Sequence, residues 1–582
     1  MAQISKPRTP RKSSYRGFEG IDLKKTHSGD ESIAFIENFR INDDGSLEKR
    51  CGFKNVYDYD GTAQKIRASH SMILNGTEVC YFLLGNSLKK YNSSTQTVSS
   101  IGEISETPDD EKTAFFFEYL DSLYICDGEK IRKVKDDTLS NADFYIPLYG
   151  KDWNELAGES KELPNLLWPK LAITYKLNSP AKSYLSLGTL KVEAIDALYR
   201  NGVLLNSEQY RIHEKYNSIT VSEFADNDVF LAIVTFVPDE AYVKERSEIL
   251  NSAQTSVFYE LNKNNLFFWG NEQNNKVFYS TSIDKEAAEI TSLHPHNNEF
   301  YVPVGSFFKV ASERDRIKAF IRHYDRVLIM TDTSTWITNL QELENNSLKL
   351  KNINSSIGCA VKNGCVRIEN TLFSIGKDAI YAWSADTDEL NECNAYSISD
   401  PLGPLLNESF FKDCIMHLNY VNREIWFYSP SQNQVWIYSY KRKAWYSFSG
   451  FKPSAFLSSD AEVRFVEDKA VYIFDSALTS DIRKVGESEI VAKIKSGELE
   501  FNSKNKKKLS STTVRGSSKG GTTELYVLLD GKKELRYSVP PNSSHSVIPF
   551  RTKSGSFSAM TFELTAKGKG TQIIHGIELD AD

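Results

Sequence analysis

Several things are scarce in this 582-residue chain, and each scarcity removes a class of protein. Only 5 methionines occur, and long Ala/Glu/Lys/Leu tracts are missing, which argues against a helical bundle. No apolar run approaches the roughly 18 residues that a membrane-crossing helix needs. The segment from Met1 to Arg16 carries Lys6, Arg8, Arg11, Lys12 and Arg16 without an acid or an apolar stretch, so it does not read as a secretory signal. An excess of positive charge is missing too: the net charge is −7, which does not fit a protein that grips phosphates over its whole surface. The seven cysteines (Cys51, Cys80, Cys126, Cys359, Cys365, Cys393, Cys414) include no Cys-x-x-Cys pair. That excludes the common zinc spacings and fits reduced thiols made in a cytosol.

Catalytic signatures are missing as well. There is no His-Glu-x-x-His and no Walker phosphate loop. Gly516-Ser-Ser518-Lys-Gly520 matches a nucleophile elbow in letters only, because it lies in a Lys/Ser/Gly-rich stretch with no strand-to-helix context. Met330 to Trp336 resembles a sialidase-type turn but lacks its glycine. His294 and His296 have no further ligands at metal spacing, and Asp43-Asp44-Gly45 and Asp58-Tyr-Asp60-Gly61 are accounted for as turns. The acidic pairs Asp109-Asp110-Glu111 and Asp136-Asp137 read as solvated turns. Expected catalytic, cofactor and metal sites are therefore none.

What is present is aromatic, strand-forming and repetitive. Aromatics make up 12% of the chain, with 33 Phe and 29 Tyr. Asp-Gly at 44, 60, 127 and 530 and Asn-Gly at 75, 201 and 363 supply tight turns beside short apolar runs. One unit recurs: an apolar strand, a short polar turn, then an amphipathic strand. It appears at Val79 (VCYFLLGNSLKKY), Leu123 (LYICDGEKIRKV), Leu266 (LFFWGNEQNNKVFYS), Val327 (VLIMTDTSTWIT), Leu372 (LFSIGKDAIYAWS), Ile425 (IWFYSPSQNQVWIYSY) and Val471 (VYIFDS). Apart from one long gap, these starts are roughly 45–60 residues apart, the length of a four-stranded propeller blade. The expectation is an all-β chain: a six- or seven-bladed β-propeller, an inserted small β-sandwich at 167–245, and a C-terminal β-sandwich or jelly-roll-like domain at 523–582. Residues 1–16 are expected as a flexible basic arm, 17–166 as N-terminal strands and first blades, 246–489 as the remaining blades, and 490–522 as a linker. The basic run Lys504-Asn-Lys506-Lys507-Lys508 falls in that linker and reads first as a solvated stretch; the alternative is that it or the arm touches DNA or an acidic neighbour.

Two stretches carry a family resemblance. The first runs Gly17-Phe18-Glu-Gly20-Ile21-Asp22, Ile36-Glu-Asn38-Phe-Arg40-Ile41 and Asp44-Gly45-Ser-Leu47-Glu-Lys49-Arg50-Cys-Gly52. It resembles the opening of phage tail nozzle and packaged-DNA-stabilisation proteins, where an Asn, a D-G turn and a basic-x-Gly ending recur; Cys51 stands where those families carry Pro. The second, Ile357-Gly358-Cys359, Asn370-x-Leu372, Ile375-Gly376-x-Asp378-x-Ile380-Tyr381 and Ile398-Ser399, is similar to a blade of the same propellers, with Ala379 in place of a glycine. The insertion, from Tyr199-Arg-Asn201-Gly202 through Tyr210-Arg-Ile212 and Ile219 to Asp228-Val229, is similar to small β-domains of tail proteins.

The resemblance implies a non-enzymatic virion protein of the tail, made in the host cytoplasm. It implies a ring of identical subunits, usually six, that extends the portal–adaptor axis, retains and conducts genomic DNA in its lumen, and docks fibres or spikes. The alternative is a receptor-binding or baseplate protein that recognises cell-surface glycan, with Trp153, Trp168, Trp269, Trp336, Trp383, Trp426, Trp436 and Trp445 as stacking candidates.

Overall fold

The computed structural model describes residues 11–24, 32–59, 65–106, 111–119, 122–150, 162–176, 184–260, 263–281, 300–324, 326–342, 348–383, 394–501, 505–531, 533–539, 546–551 and 554–582. Five four-stranded antiparallel sheets, and the four-stranded antiparallel parts of a nine-stranded and a six-stranded sheet, follow one another. Blade 1 comprises Ile66–Leu74, Thr77–Leu84, Ser87–Asn92 and Thr97–Glu103; blade 2 comprises Phe115–Tyr119, Ser122–Cys126, Ile131–Lys135 and Thr138–Asn141. Blade 3 is Gln254–Glu260, Lys263–Trp269, Lys276–Tyr279 and Phe307–Lys309; blade 4 is Ile317–His323, Arg326–Thr331, Thr335–Thr338 and Lys351–Asn354. Blade 5 is Cys365–Ile368, Thr371–Ile375, Ile380–Trp383 and Ala395–Ser397; blade 6 is Ile415–Asn419, Glu424–Tyr428, Gln434–Ser439 and Ala444–Ser449. Blade 7 takes Ala455–Leu457, Arg464–Glu467 and Ala470–Asp475 from late in the chain, and its fourth strand, Gly52–Asp58, from the N-terminal region.

The first strands of blades 7, 1, 2 and 3 lie side by side, as do those of blades 4 and 5 and of blades 6 and 7. Phe267 and Trp269 of blade 3 share a core with Phe320 and Ile329 of blade 4, and Phe373 of blade 5 meets Tyr438 of blade 6 at 6.0 Å. The sheets therefore close into a seven-bladed β-propeller. Closure buries each sheet face on its neighbour, which no single blade achieves alone. The repeats seen in the sequence are second and third strands, with one exception: Val471 opens the third strand of the closing blade.

The insertion leaves the ring after blade 2. Leu148–Gly150 runs parallel to Lys170–Lys176 in a five-stranded sheet with Val229–Phe236, Val192–Arg200 and Val203–Leu204. A three-stranded sheet of Tyr184–Ser186, Ser218–Val221 and Tyr210–His213 packs over it, Leu185 and Ile219 meeting Leu171, Leu198 and Phe230. The inserted sandwich thus starts before the expected residue 167 and ends by Phe236. The helix Glu240–Leu250, capped by Asp239 accepting from the Tyr242 amide, returns the chain to blade 3.

The second β-sandwich is not confined to 523–582. One of its sheets continues the sheet of blade 6: Ile33–Glu37 joins the blade's outer strand in parallel at Glu37↔Ser447, and Ala492–Ser496, Met560–Lys567, Thr522–Leu529 and Lys533–Val539 follow. The facing sheet holds Phe39–Ile41, Leu47–Lys49, Thr571–Ala581, Leu509–Lys519 and Ser546–Arg551. Two expectations are corrected here. Of the basic arm, Arg11–Arg16 is a strand paired with Thr571–Ala581, Ser13 and Tyr15 facing inward; residues 1–10 lie outside the described residues. The supposed linker 490–522 supplies two sandwich strands, because Leu509, Thr512, Val514, Gly516 and Ser518 alternate inward along Leu509–Lys519. The elbow-like Gly516 to Gly520 is thus strand and turn. Lys507 is buried and bridges to Phe557; Lys504 lies outside the described residues. Among the described residues, no helix is long and apolar enough to cross a membrane.

Candidate functional site

The N-terminal motif residues converge where blade 6, blade 7 and the C-terminal sandwich meet. Between Ile33–Glu37 and Phe39–Ile41 the chain turns at Asn38, whose φ of 56° is a left-handed conformation that Asn tolerates. Its amide donates to the Ser447 carbonyl at 2.8 Å, and its side chain donates to the Val491 carbonyl at 2.8 Å. Asn38 Oδ1 accepts from the Ser449 amide at 2.8 Å and from Arg50 Nε at 2.9 Å.

Arg50 is the centre of the cluster. Nη1 and Nη2 engage Asp481 as a two-pronged pair at 2.8 and 2.7 Å, and the same nitrogens donate to the Cys51 and Ser449 carbonyls. The Arg50 and Asp481 side chains are 1% and 3% exposed. Four rings, Phe53, Phe448, Phe451 and Phe474, surround the guanidinium at 5.7–5.9 Å. A buried charge is tolerated only when its partners are all supplied, and here every N–H has one. Gly52 explains the end of the motif: a Cβ there would stand 1.8 Å from the Ser480 carbonyl oxygen.

Arg40 makes a second pair. Its Nε donates to Glu424 Oε1 at 2.6 Å, and Glu424 also accepts from Trp426 Nε1, Tyr446 Oη and Asn419 Nδ2. Burial works against the Arg40 charge, but Glu424, Tyr446 and Cys51 together outweigh it, so the pKa is raised. Burial, aided by Glu424, holds the Tyr446 hydroxyl well above its ordinary value. A small pocket of about 230 Å³ opens beside Arg40, Lys49, Arg50 and Cys51. Burial pushes Lys49 down to about 8, and its ammonium donates to the Gly568 carbonyl. Gly17 and Gly45 stack closely, since a Cβ on Gly45 would come 2.6 Å from Gly17 Cα; Phe18 donates to the Gly45 carbonyl. Asp44 caps that turn by accepting from the Ser46 amide and hydroxyl.

The three other motif residues stand apart, in and beside blade 5. Gly358 presses on the Thr331 carbonyl of blade 4, where a Cβ would be 2.1 Å away, and Gly376 lies under the Tyr381 ring. Asp378 accepts from the Tyr381 hydroxyl at 2.8 Å. These are turn and blade-packing positions.

The sequence reading missed the partners that make the cluster work, Asp481 and Glu424, and a counterpart on the far side of blade 7. There Arg464, fully buried, donates to Glu78 of blade 1 at 3.0 Å and to Glu462, while stacking over Tyr91 at 4.6 Å. Burial opposes its charge, and Cys80, Glu78 and Glu462 outweigh it, so the pKa is raised. Blade 7 is thus fastened on both flanks by a buried arginine. Beside Arg464, His417 stacks on Phe456 at 5.1 Å; burial, then the Arg464 charge, lower its pKa to about 4.

Other candidate residues resolve simply. Trp269, Trp383, Trp426, Trp436 and Trp445 are buried core, and Trp168 and Trp336 are half-buried; Trp153 lies outside the described residues. The buried five are unavailable as sugar platforms. Cys80, Cys126, Cys359 and Cys414 are buried free thiols, and Cys51 and Cys365 are half-buried; Cys393 lies outside the described residues. So do His294, His296, Asp60, Asp109 and Asp110. Among the described residues, no three His, Cys, Asp or Glu side chains gather as a metal ion would require.

No family model matches the chain, and no curated protein matches it. Solved structures do align with it. The CNH domain of AfRom2 aligns at 7% identity over 73% of this chain and 99% of that one, with a TM-score of 0.36. The WD40 domain of SCAP from fission yeast aligns at 10% identity over 75% and 97%, TM-score 0.31. The exo-β-1,3-galactanase of Phanerochaete chrysosporium with galactose aligns at 10% identity over 80% and 95%, TM-score 0.17. Scores this low carry no argument about activity. The propeller assignment rests on the seven closed sheets of the chain itself.

Proposed function

We propose that this chain is a structural protein of a bacteriophage tail: one subunit of a homo-oligomeric ring, nozzle or adaptor extension, that retains and conducts genomic DNA and offers its propeller to fibres. The observation that carries the reading is the use to which the phage-like N-terminal motif is put. Asn38, Arg50 and Gly52 fasten a propeller to a second β-sandwich through buried pairs and one continuous nine-stranded sheet. A rigid two-lobed block suits a part that must hold shape under load and repeat by symmetric contacts. The buried carboxylates Asp481 and Glu424 and the half-buried Glu78 are each engaged by an arginine, which favours a scaffolding over a catalytic role. The test is electron microscopy of purified particles with gold-labelled antibody against this chain. Label on a ring in the tail is expected. Particles without label, or a purified chain that turns over a glycan, would overturn the reading.

A further inference from the structure

Each first strand of the propeller runs in the same sense, so the turns leading into the second strands emerge on one end of the ring. In blades 4, 5 and 6 these turns, with the strand end that precedes the blade 5 turn, expose Tyr324, Arg367, Tyr420, Val421 and Arg423, together with the acid Glu369. Val421 is 63% exposed, and the Arg423 side chain, 52% exposed, stands 3.8 Å from the exposed carboxylate of Asp43. The groups are contiguous. Arg367 Nη1 donates to the Arg322 carbonyl of the neighbouring blade at 3.2 Å. Burial raises the Tyr420 hydroxyl, with Asp460 and Arg367 near enough to act on it, and Tyr440 in turn lies within reach of Arg423 and Tyr420. Tyrosine and arginine around an exposed aliphatic side chain is the composition of an interface anchor, not of an idle surface.

A second surface has the opposite character. The inserted sandwich ends in the Asn201-Gly202 hairpin, whose edge residues Val203 and Leu204 are 67% and 59% exposed, with Val229 beside them. Asn201 ties the two loops together by accepting from the Val229 amide at 2.9 Å. Acids collar the tip: the Glu223 side chain is 81% exposed and only 3.6 Å from Arg200, and Asp226 is exposed in the same loop. Arg200 itself is held by buried Asp228 at 2.8 Å, which leaves Glu223 and Asp226 as the outward charge.

We infer that the apolar, acidic tip of the inserted sandwich of one copy seats on the Tyr/Arg turns of blades 4–6 of another copy. The inference rests on the ring reading above and names the two surfaces that would build the ring. The guanidiniums of Arg367 and Arg423 complement Glu223 and Asp226, Glu369 and Asp43 offsetting part of that charge, apolar side chains stand exposed on both sides, and the occupant comes from the same chain. Because the surfaces differ, the contact is heterologous; repeated with rotation it closes a ring, and without closure it continues as a filament.

The test is a charge swap read by sedimentation and light-scattering mass. One variant carries Arg367→Glu and Arg423→Glu; the other carries Glu223→Lys and Asp226→Lys. Facing like charges should weaken self-assembly of either variant at least about a hundredfold. Mixing the two should restore assembly, since each now offers the complement of the other. All four positions are exposed, and an unchanged unfolding midpoint shows that each variant folds. Variants that assemble like the wild type overturn this contact and leave the ring reading standing. A wild type that stays monomeric at about 100 µM, with tails still labelled, also overturns the contact, and unlabelled tails remove the ring reading with it. If Arg367→Glu/Arg423→Glu leaves the mass unchanged but abolishes binding of a labelled single-stranded oligonucleotide, the surface serves nucleic acid and the inference fails.

Discussion

Two arginine–carboxylate clusters fasten the N-terminal region, and they differ in almost everything but chemistry. At the blade 7 junction, Arg50 and Asp481 are buried among four phenyl rings with every donor used. At the start of the described chain, Lys12, Arg16 and Arg515 converge on Glu578, whose side chain is 7% exposed while the cations are 36–59% exposed. The first site can be neither solvated nor rearranged if one partner is lost. At the second the carboxylate is buried, but each of its three cations can turn to water. Burial, not the number of ion pairs, decides which cluster holds the fold together.

That contrast can be broken most sharply by Arg50→Met. It strands the Asp481 carboxylate in the core and should cost about 3–5 kcal/mol, read as a fall in the urea midpoint of the transition involving blades 6 and 7. Arg464→Met tests the other flank of the blade; the Glu78 and Glu462 side chains are 11% and 26% exposed and regain water more readily than Asp481, so the cost should be smaller, about 2–3 kcal/mol. Restoring a hydrophobic pair, as in Arg50→Met with Asp481→Leu, should recover much of the loss, which an account based on ion-pair attraction alone would not predict.

Acid separates the two regions next. His417, held down at about 4 by burial against an ordinary 6.5, contributes stability that is complete above pH 6.5 and lost as pH falls toward 4. The loss amounts to about 3 kcal/mol at most, and His417→Phe should flatten that limb of the stability–pH curve. Glu578, held at about 2 by Arg16 first, contributes stability complete above its ordinary 4.5 and lost as pH falls toward 2. The strand Arg11–Arg16 should therefore release, by faster amide exchange, in a more acidic window than the one that loosens blades 6 and 7. The smallest effect belongs to Glu578→Gln at pH 7: about 1–2 kcal/mol, since the exposed cations are screened by solvent, seen as faster local exchange at Arg11–Arg16.

The fold was legible where burial leaves a pattern along the chain. Second blade strands are buried on both faces, so stretches such as Thr77–Leu84 and Glu424–Tyr428 read as apolar runs with a turn after them, while a third strand such as Ser87–Asn92 mixes buried and half-buried positions. First strands border the central channel and fourth strands the rim, so Ile66–Leu74 and Thr138–Asn141 are half-exposed and carry little signal. The strands Arg11–Arg16 and Leu509–Lys519 were missed because they are built from Ser, Thr, Lys and Gly, whose composition reads as loop although alternate positions point inward. Asn38, Arg40, Arg50 and Gly52 were legible as a motif, since they lie close together. Asp481 lies 431 positions from Arg50, and no local pattern connects the two.

The central claim is that Gly52–Asp58 is an integral strand of the last blade, locked by Arg50, so that the ring and the C-terminal sandwich behave as one body. Native-state hydrogen exchange followed by mass spectrometry tests it most directly. Peptides covering 52–58 and 470–475 should exchange with the same opening free energy and be loosened together by Arg50→Met. Rapid exchange at 52–58 beside a protected 470–475, with Arg50→Met affecting neither, would contradict it.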